Sequence, residues 1–295
     1  MKQHCTTHLN NCKTASFIST ILKGVGQIML QDNIITGLLF LIGIFYGSYI
    51  MGLAALLATI CGTATAYLFK YSKAEIEQGL YGFSAALVGV AVMLFLKPVF
   101  WAWLLVVLGS VVAAMLQHFA IKRKFPAYTF PFVFVTWVIL LICNYFGNDI
   151  LAVSTPAIAQ ACDSLTIGFK SFGQVIFQDK LLSGLLFFLA VFISSPIAAL
   201  YGLVAAIVSA LLAFYLSVPL TEIYLGLYGF NAVLCAIVFA GPKVKDGLWV
   251  LISIILALVI SLLIDKTGIP KLTFPFVLAT WITLLLKKTT FHLSF

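Results

Sequence analysis

Two glutamines and two threonines are the residues of this chain whose type and spacing could recognise a small solute. Gln27 and Gln174 stand in a repeated Gly-Gln sequence, 147 positions apart (174 − 27), and each carries an amide oxygen that accepts hydrogen bonds. Thr129 and Thr273 open a repeated Thr-Phe-Pro-Phe-Val sequence, 144 positions apart (273 − 129). Oxygens at the same point of two copies predict a polar path shared between the copies.

A proline follows each threonine inside a strongly apolar segment. Pro131 and Pro275 remove a backbone N–H and crowd the carbonyl four residues back, at Ala127 and Lys271. In lipid, irregular backbone is tolerated only where protein or a watery cavity covers it. We therefore expect freed carbonyl oxygens to gather beside the two threonines.

Aromatic rings recur at the first of these offsets. The sequence Gly-Leu-Tyr-Gly-Phe ends at Phe83 and again at Phe230, with Leu87 and Leu234 one helical turn beyond the rings. Rings and oxygens together predict a narrow, flat-walled, uncharged passage with acceptors along one edge. Such a passage would suit a small, planar, neutral solute rich in N–H donors, because an ion would lose its hydration at a cost of several kcal/mol.

The composition requires a membrane around this passage. Hydrophobic residues make up 63% of the 295 residues and charged residues 9%, against about 25% in a soluble domain. The net charge of +8 collects at the ends of apolar segments, for example at 122–124, which is typical of cytoplasmic loops and not of a nucleic-acid surface. The six cysteines lack CxxC spacing and indicate packing residues, with neither a metal site nor a cofactor expected.

The hydrophobic pattern predicts an all-α integral membrane protein with ten transmembrane helices. Two further segments, at 17–29 and 165–176, are too short to cross and are expected to be tilted re-entrant helices, although a helix lying on the membrane surface fits the same pattern. Five spans per half is an odd number, so the second copy must be inverted, with a central pore between the repeats. The ten spans are expected at 34–48, 49–69, 79–96, 99–121, 127–146, 181–194, 196–216, 223–240, 247–264 and 271–287.

These spans divide the chain into five regions. A cytoplasmic tail (1–13) precedes the first repeat (14–146), an external linker (147–161) leads to the second repeat (162–288), and a short tail (289–295) follows. Twelve of the 17 basic residues would lie on the side of the amino terminus. The positive-inside rule then places both termini in the cytoplasm. The amino-terminal tail also contains four residues that could form a metal site, His4, Cys5, His8 and Cys12. We interpret them as ordinary residues of a polar tail.

At these motifs the chain resembles the urea transporter family. The resemblance rests on the paired Gly-Gln, Gly-Leu-Tyr-Gly-Phe and Thr-Phe-Pro-Phe sequences and covers about residues 14–287. It implies passive, channel-like transport of urea by a homotrimer, with one pore through each protomer. The absence of an N-x-[ST] sequence favours a bacterial inner membrane as the location. Absence of HExxH, CxxC and GxSxG motifs argues separately against an enzyme.

The resemblance also implies roles for individual residues. Gln27 and Gln174 would accept hydrogen bonds from urea, and Phe83 and Phe230 would stack on its flat faces. The remaining residues would complete the two slots (Leu30, Phe177) and line the narrow centre (Thr129, Thr273, Leu87, Leu234, Ile28, Val175).

The chain departs from the family pattern at three places. Asn-Pro, which the family usually carries ahead of each first span, is absent from both copies, where Asp32-Asn33 and Asp179-Lys180 stand instead. Leu30 occupies the place of an expected ring, which predicts a looser slot. Ser84 occupies the place of the asparagine found at Asn231.

Two other functions remain open from the residues alone. An ion-coupled secondary transporter of a small polar solute would share the inverted architecture, but it normally keeps a carboxylate or histidine inside its spans. Here Asp32, Glu75, Asp179 and Glu222 lie near span ends. A channel for water, ammonia or short amides would have much the same lining.

Overall fold

The fold is all-helical over the residues that the computed structural model describes, 17–146, 150–152 and 166–292. Fourteen helices occupy these ranges, and the only strand-like pairing within them joins Leu96 and Leu151. The helices are α1 (Phe17–Met29, ending in a 3₁₀ turn), α2 (Ile34–Gly47), α3 (Tyr49–Leu68), α4 (Lys73–Glu77), α5 (Phe83–Phe95), α6 (Phe100–Lys122), α7 (Phe130–Phe146), α8 (Ile167–Gln174), α9 (Leu181–Ser194), α10 (Pro196–Tyr215), α11 (Leu220–Tyr224), α12 (Phe230–Phe239), α13 (Val244–Asp265) and α14 (Phe274–His292).

Several of these helices are built for a membrane. In the described part of the chain, α3, α6, α10 and α13 are each long and apolar enough to cross, and α1 with α2 form a fifth candidate as a pair bent by 76°. Four shorter apolar helices (α5, α7, α9 and α12) have only 10–17 residues. At 1.5 Å per residue they fall short of a hydrocarbon core of about 30 Å. The chain is therefore a multi-pass membrane protein, with four helices in the described ranges that are long enough to cross by themselves.

Two expected spans begin later than the hydrophobic pattern predicts. The segments predicted at 79–96 and 223–240 become their helices only from Phe83 and Phe230. The cause is a turn at Gly79 and Gly226, whose φ angles of 77° and 79° suit glycine. A short helix that the pattern did not predict, α4 or α11, precedes each turn.

The short helices α1 and α8 are each followed within three residues by a left-handed residue, and both pack closely on the next helix. Leu30 and Phe177 have φ angles of 61° and 57°, which reverses the chain at each tip. A Cβ on Gly37 would lie 1.7 Å from the carbonyl oxygen of Leu22, so glycine is required where α2 crosses α1. Gly184 meets α8 in the same way. Each short helix therefore turns back onto the helix that follows it and packs closely against it.

The two halves share their unusual backbone angles residue by residue. All ten residues with positive φ in the described ranges fall into five pairs at the offsets of the sequence repeat. The pairs are Leu30 and Phe177, Lys70 and Ser217, Gly79 and Gly226, Lys124 and Gly268, and Tyr128 and Leu272.

Contacts between the halves are reciprocal. The Thr36 hydroxyl donates to the carbonyl of Ala190 at 2.8 Å, and the matching Ser183 hydroxyl donates to the carbonyl of Gly43 at 2.8 Å. Between α2 and α9, the equivalent rings of Phe40 and Phe187 meet edge-on with centroids 5.2 Å apart. When residue i contacts j and the equivalent of j contacts the equivalent of i, the two units meet across a two-fold axis.

Two regions differ from the expected boundaries. Residues 150–152, in the predicted linker, return to the end of α5, where the Lys97 amide donates to the carbonyl of Ile150 and the Ala152 amide to that of Phe95. The last helix continues to His292, beyond the predicted end of the second repeat at 288. The candidate metal ligands His4, Cys5, His8 and Cys12 lie outside the described residues.

Candidate functional site

The two repeated threonines meet at the junction of the halves. The hydroxyl oxygens of Thr129 and Thr273 lie 2.6 Å apart and share one hydrogen bond. Both side chains are buried, with 3% and 0% of their surface exposed. Since each threonine immediately precedes the start of α7 or α14, the pair places two hydroxyl oxygens on the axis that relates the halves.

The prolines beside the threonines begin helices instead of kinking them, which corrects the sequence-based interpretation. Pro131 and Pro275 are the second residues of α7 and α14, where a missing N–H costs nothing because first-turn amides have no helical partner. The carbonyls of Ala127 and Lys271, expected to be free, accept from the amides three residues ahead.

Tryptophans from opposite halves take up the neighbouring carbonyls. The indole of Trp137 donates to the carbonyl of Pro270 at 2.8 Å, and the indole of Trp281 donates to that of Pro126 at 2.7 Å. Sequence reasoning missed this pair, although the two tryptophans stand at the second repeat offset (281 − 137 = 144). These bonds fix each helix start against the opposite half and so hold the threonines in register.

The apolar residues of the expected passage all belong to the main hydrophobic core or pack against it. One buried cluster contains six of them: Ile28, Phe83, Leu87, Val175, Phe230 and Leu234. The other two, Leu30 and Phe177, pack against it. The structure thus brings these apolar residues into one cluster, in which the side chains of Leu87 and Val175 are fully buried.

One end of this lining opens into a cavity of about 520 Å³. Gln174, Phe177 and Phe230 line the cavity together. Lys271 also lines it, and its ammonium is paired with Asp265 at 3.0 Å and lies 3.9 Å from the centre of the Tyr228 ring. The mouth therefore combines two amides, three rings, the carboxylate of Asp179 and one cation that is paired with Asp265.

The other glutamine is held by the turn before α5. The side-chain nitrogen of Gln27 donates to the carbonyl of Gln78 at 3.0 Å, which leaves the amide oxygen as the acceptor. The same turn is anchored through the hydroxyl of Tyr81, which donates to Glu75 at 2.5 Å and lies 3.0 Å from a ring nitrogen of His118. Glu75 thus holds the turn that positions Gln27.

The halves differ most at the position of Ser84. In the second half, Asn231 accepts from the amide of Phe276 at 3.1 Å and so satisfies a first-turn N–H of α14. The Ser84 hydroxyl at the equivalent position is buried and has no hydrogen-bond partner among the described residues, and the Thr136 hydroxyl is in the same condition.

Comparisons with known proteins agree with the geometry. A family model described as urea transporter matches residues 18–288. The chain is 26% identical to Urea transporter 1 of Ovis aries, over 97% of this chain and 81% of that protein. Urea transporter 1 of Capra hircus shows the same identity and coverage, and that of Mus musculus is 27% identical over 76% of this chain and 63% of that protein.

Proposed function

Because the chain belongs to the urea transporter family, we propose that it conducts urea passively across a membrane along the junction of its two halves. The observation that carries this proposal is the buried hydroxyl pair of Thr129 and Thr273, contributed by equivalent points of the two repeats and enclosed by apolar side chains. A neutral amide can exchange hydrogen bonds with hydroxyl oxygens there. A hydrated ion would find no compensating charge.

The individual roles follow from position. Gln174, with Phe177 and Phe230, receives urea in the cavity at one end, where the amide oxygen accepts from an N–H group and the rings cover the flat faces. Gln27, with Leu30 and Phe83, forms the corresponding slot at the other end. Between the slots, urea displaces the apolar side chains that close the centre, Ile28, Leu87, Val175 and Leu234, and bonds to the two threonines.

The membrane layout is part of the same proposal. The paired φ angles and reciprocal contacts support two inverted repeats, 14–146 and 162–288, each with one re-entrant helix and five spans. A short helix can complete a crossing only where a re-entrant segment or a protein-covered turn meets it, as α1 meets α2.

The remaining features are carried over from the sequence. Both termini lie in the cytoplasm, as the distribution of basic residues favours, and the membrane is a bacterial inner membrane. The protein assembles as a homotrimer in lipid, with a separate path in each protomer. A size measurement of the detergent-solubilised protein would test the trimer.

Ion coupling is disfavoured by the charges of the described helices. Every Asp and Glu in the described ranges lies at a helix end, in a short helix or in a turn, and none belongs to the central lining. A coupled transporter needs a charge at the site that it moves or neutralises.

Urea flux into liposomes that contain the purified protein tests the function. We expect flux down a urea gradient to continue after proton and sodium gradients are collapsed, and to fall with added thiourea or methylurea. Flux that stops when the ion gradients are removed would establish coupling. Water or ammonia conduction without urea flux would support the other channel function.

A further inference from the structure

A groove on the outer surface of the first half takes no part in the urea path. The groove has a volume of about 590 Å³ and lies between the end of α6, the turn at 123–127 and the start of α7. Three rings on its walls, Phe119, Phe125 and Phe134, are 59%, 46% and 45% exposed. On a membrane protein such an apolar surface is covered by lipid chains or by another protein.

The groove carries a positive charge at one end. Arg123 is a lining residue, and its guanidinium lies 5.2 Å from the centre of the Phe119 ring. Lys122 and Lys124 are exposed on either side of it, and no Asp or Glu is among the lining residues in the described part of the chain. The ion pairs of the described residues involve Lys23, Lys73 and Lys271, and not the three cations at the groove.

The fold does not require this concentration of charge. The positions equivalent to 122–124 in the second half, at the offset of 144, are Lys266, Thr267 and Gly268. The backbone is the same, since Lys124 and Gly268 both have positive φ. A lysine in a conformation that favours glycine is unfavourable by itself. Three cations at this turn are therefore specific to the first half.

An apolar track leads away from the basic end. Met115, Val112 and Leu108 are exposed along α6, and Phe134, Val138 and Leu141 are exposed along α7, which packs against it. Because α6 and α7 are antiparallel neighbours joined by the turn at 123–127, these residues lie at similar distances from the turn. The groove is thus positively charged at one end and apolar along the rest of its length.

We propose that this groove binds an anionic phospholipid, with the phosphate at Arg123, Lys122 and Lys124 and one acyl chain between α6 and α7. Basic clusters at the cytoplasmic ends of membrane helices attract anionic headgroups, at about 1 kcal/mol for each Lys or Arg near the surface. The guanidinium fork of Arg123 suits a phosphate, and its contact with Phe119 holds it at the border between headgroup and acyl chain. The site does not depend on urea passing through the protein.

Native mass spectrometry of the full-length protein in neutral detergent tests the site. The probes are dioleoyl phosphatidylglycerol and dioleoyl phosphatidylcholine, which share their acyl chains and differ in charge. We expect tighter binding of phosphatidylglycerol, and about fivefold weaker binding after Arg123→Gln, which corresponds to about 1 kcal/mol. Binding of phosphatidylcholine, whose phosphate is offset by its own choline cation, should weaken less in this variant.

Matched variants distinguish binding at the groove from general electrostatic attraction between the basic protein and an anionic lipid. Lys245→Gln removes an exposed cation from the start of α13, away from the groove, and should leave binding unchanged. Phe134→Ala shortens the apolar wall and should weaken both lipids. Equal effects of Arg123→Gln and Lys245→Gln would overturn the proposal, as would equal binding of the two lipids.

Two further outcomes would identify a different occupant. Displacement of the lipid by inorganic phosphate alone would show that the turn binds free anions without needing an acyl chain. A disulfide between protomers formed by Phe134→Cys, and not by the parent protein, would place a second copy of the chain on the groove. Either result would overturn the lipid assignment.

Discussion

Replacing Thr129 by valine tests the central constriction most directly. The change keeps the volume and removes one hydroxyl from a pair whose oxygens lie 2.6 Å apart in a fully apolar surrounding. A urea molecule at the centre then loses one neutral hydrogen bond, worth about 0.5–1.5 kcal/mol net. If that bond forms at the top of the barrier, urea flux per protein should fall about 2- to 12-fold.

The assay is urea flux into liposomes, normalised to the amount of inserted protein. Thr36→Val is the matched control, because it also removes a buried hydroxyl that bonds across the halves, to Ala190, but outside the predicted path. Both variants should lose stability, and only Thr129→Val should lose flux. The double variant of Thr129 and Thr273 should show non-additive losses, because the two hydroxyls are in contact.

Two results would refute this reasoning. Unchanged flux in Thr129→Val would make the hydroxyl pair a purely structural contact between α7 and α14. An equal loss of flux in Thr36→Val would show that the halves are merely loosened by either change, without a specific role for the centre.

Three other substitutions address the rest of the site. Gln174→Ala should lower flux about 2- to 10-fold while insertion stays normal, because an acceptor is lost at the mouth; unchanged flux would remove Gln174 from the path. Leu30→Phe should increase the preference for urea over methylurea in flux assays, since Leu30 shares the φ of Phe177 and a ring would narrow the looser slot; an unchanged preference would contradict that role. Ser84→Asn should stabilise the protein by about 1 kcal/mol and so raise its midpoint temperature of unfolding, if the new amide caps α7 as Asn231 caps α14. A lower midpoint would show that the larger side chain does not fit.

The sequence was sufficient for the membrane class, the family and the pairing of the halves. These follow from local and one-dimensional signals, namely the apolar composition and motifs repeated at 147 and 144 positions. The meeting of Thr129 with Thr273 was also foreseeable, because equivalent points of two copies related by a two-fold axis approach each other near that axis.

The ends of the helices were less predictable. Hydrophobicity continues through the turns at Gly79 and Gly226, so the pattern placed both helix starts too early. Pro131 was interpreted as a kink within a span, whereas the helix begins one residue before it. A proline has the same local effect in either place, and only the position of the helix start decides whether a carbonyl is freed.

What the sequence determined by itself is which residues recur, because a repeat is visible in one dimension. The tertiary structure decided what each of them contacts. Trp137 and Trp281 bind the carbonyls of the opposite half, Gln27 is oriented by Gln78, and the buried Ser84 hydroxyl has no partner among the described residues. Hydrogen bonds between residues 51 to 155 positions apart depend on how whole helices pack, and no local pattern records that packing.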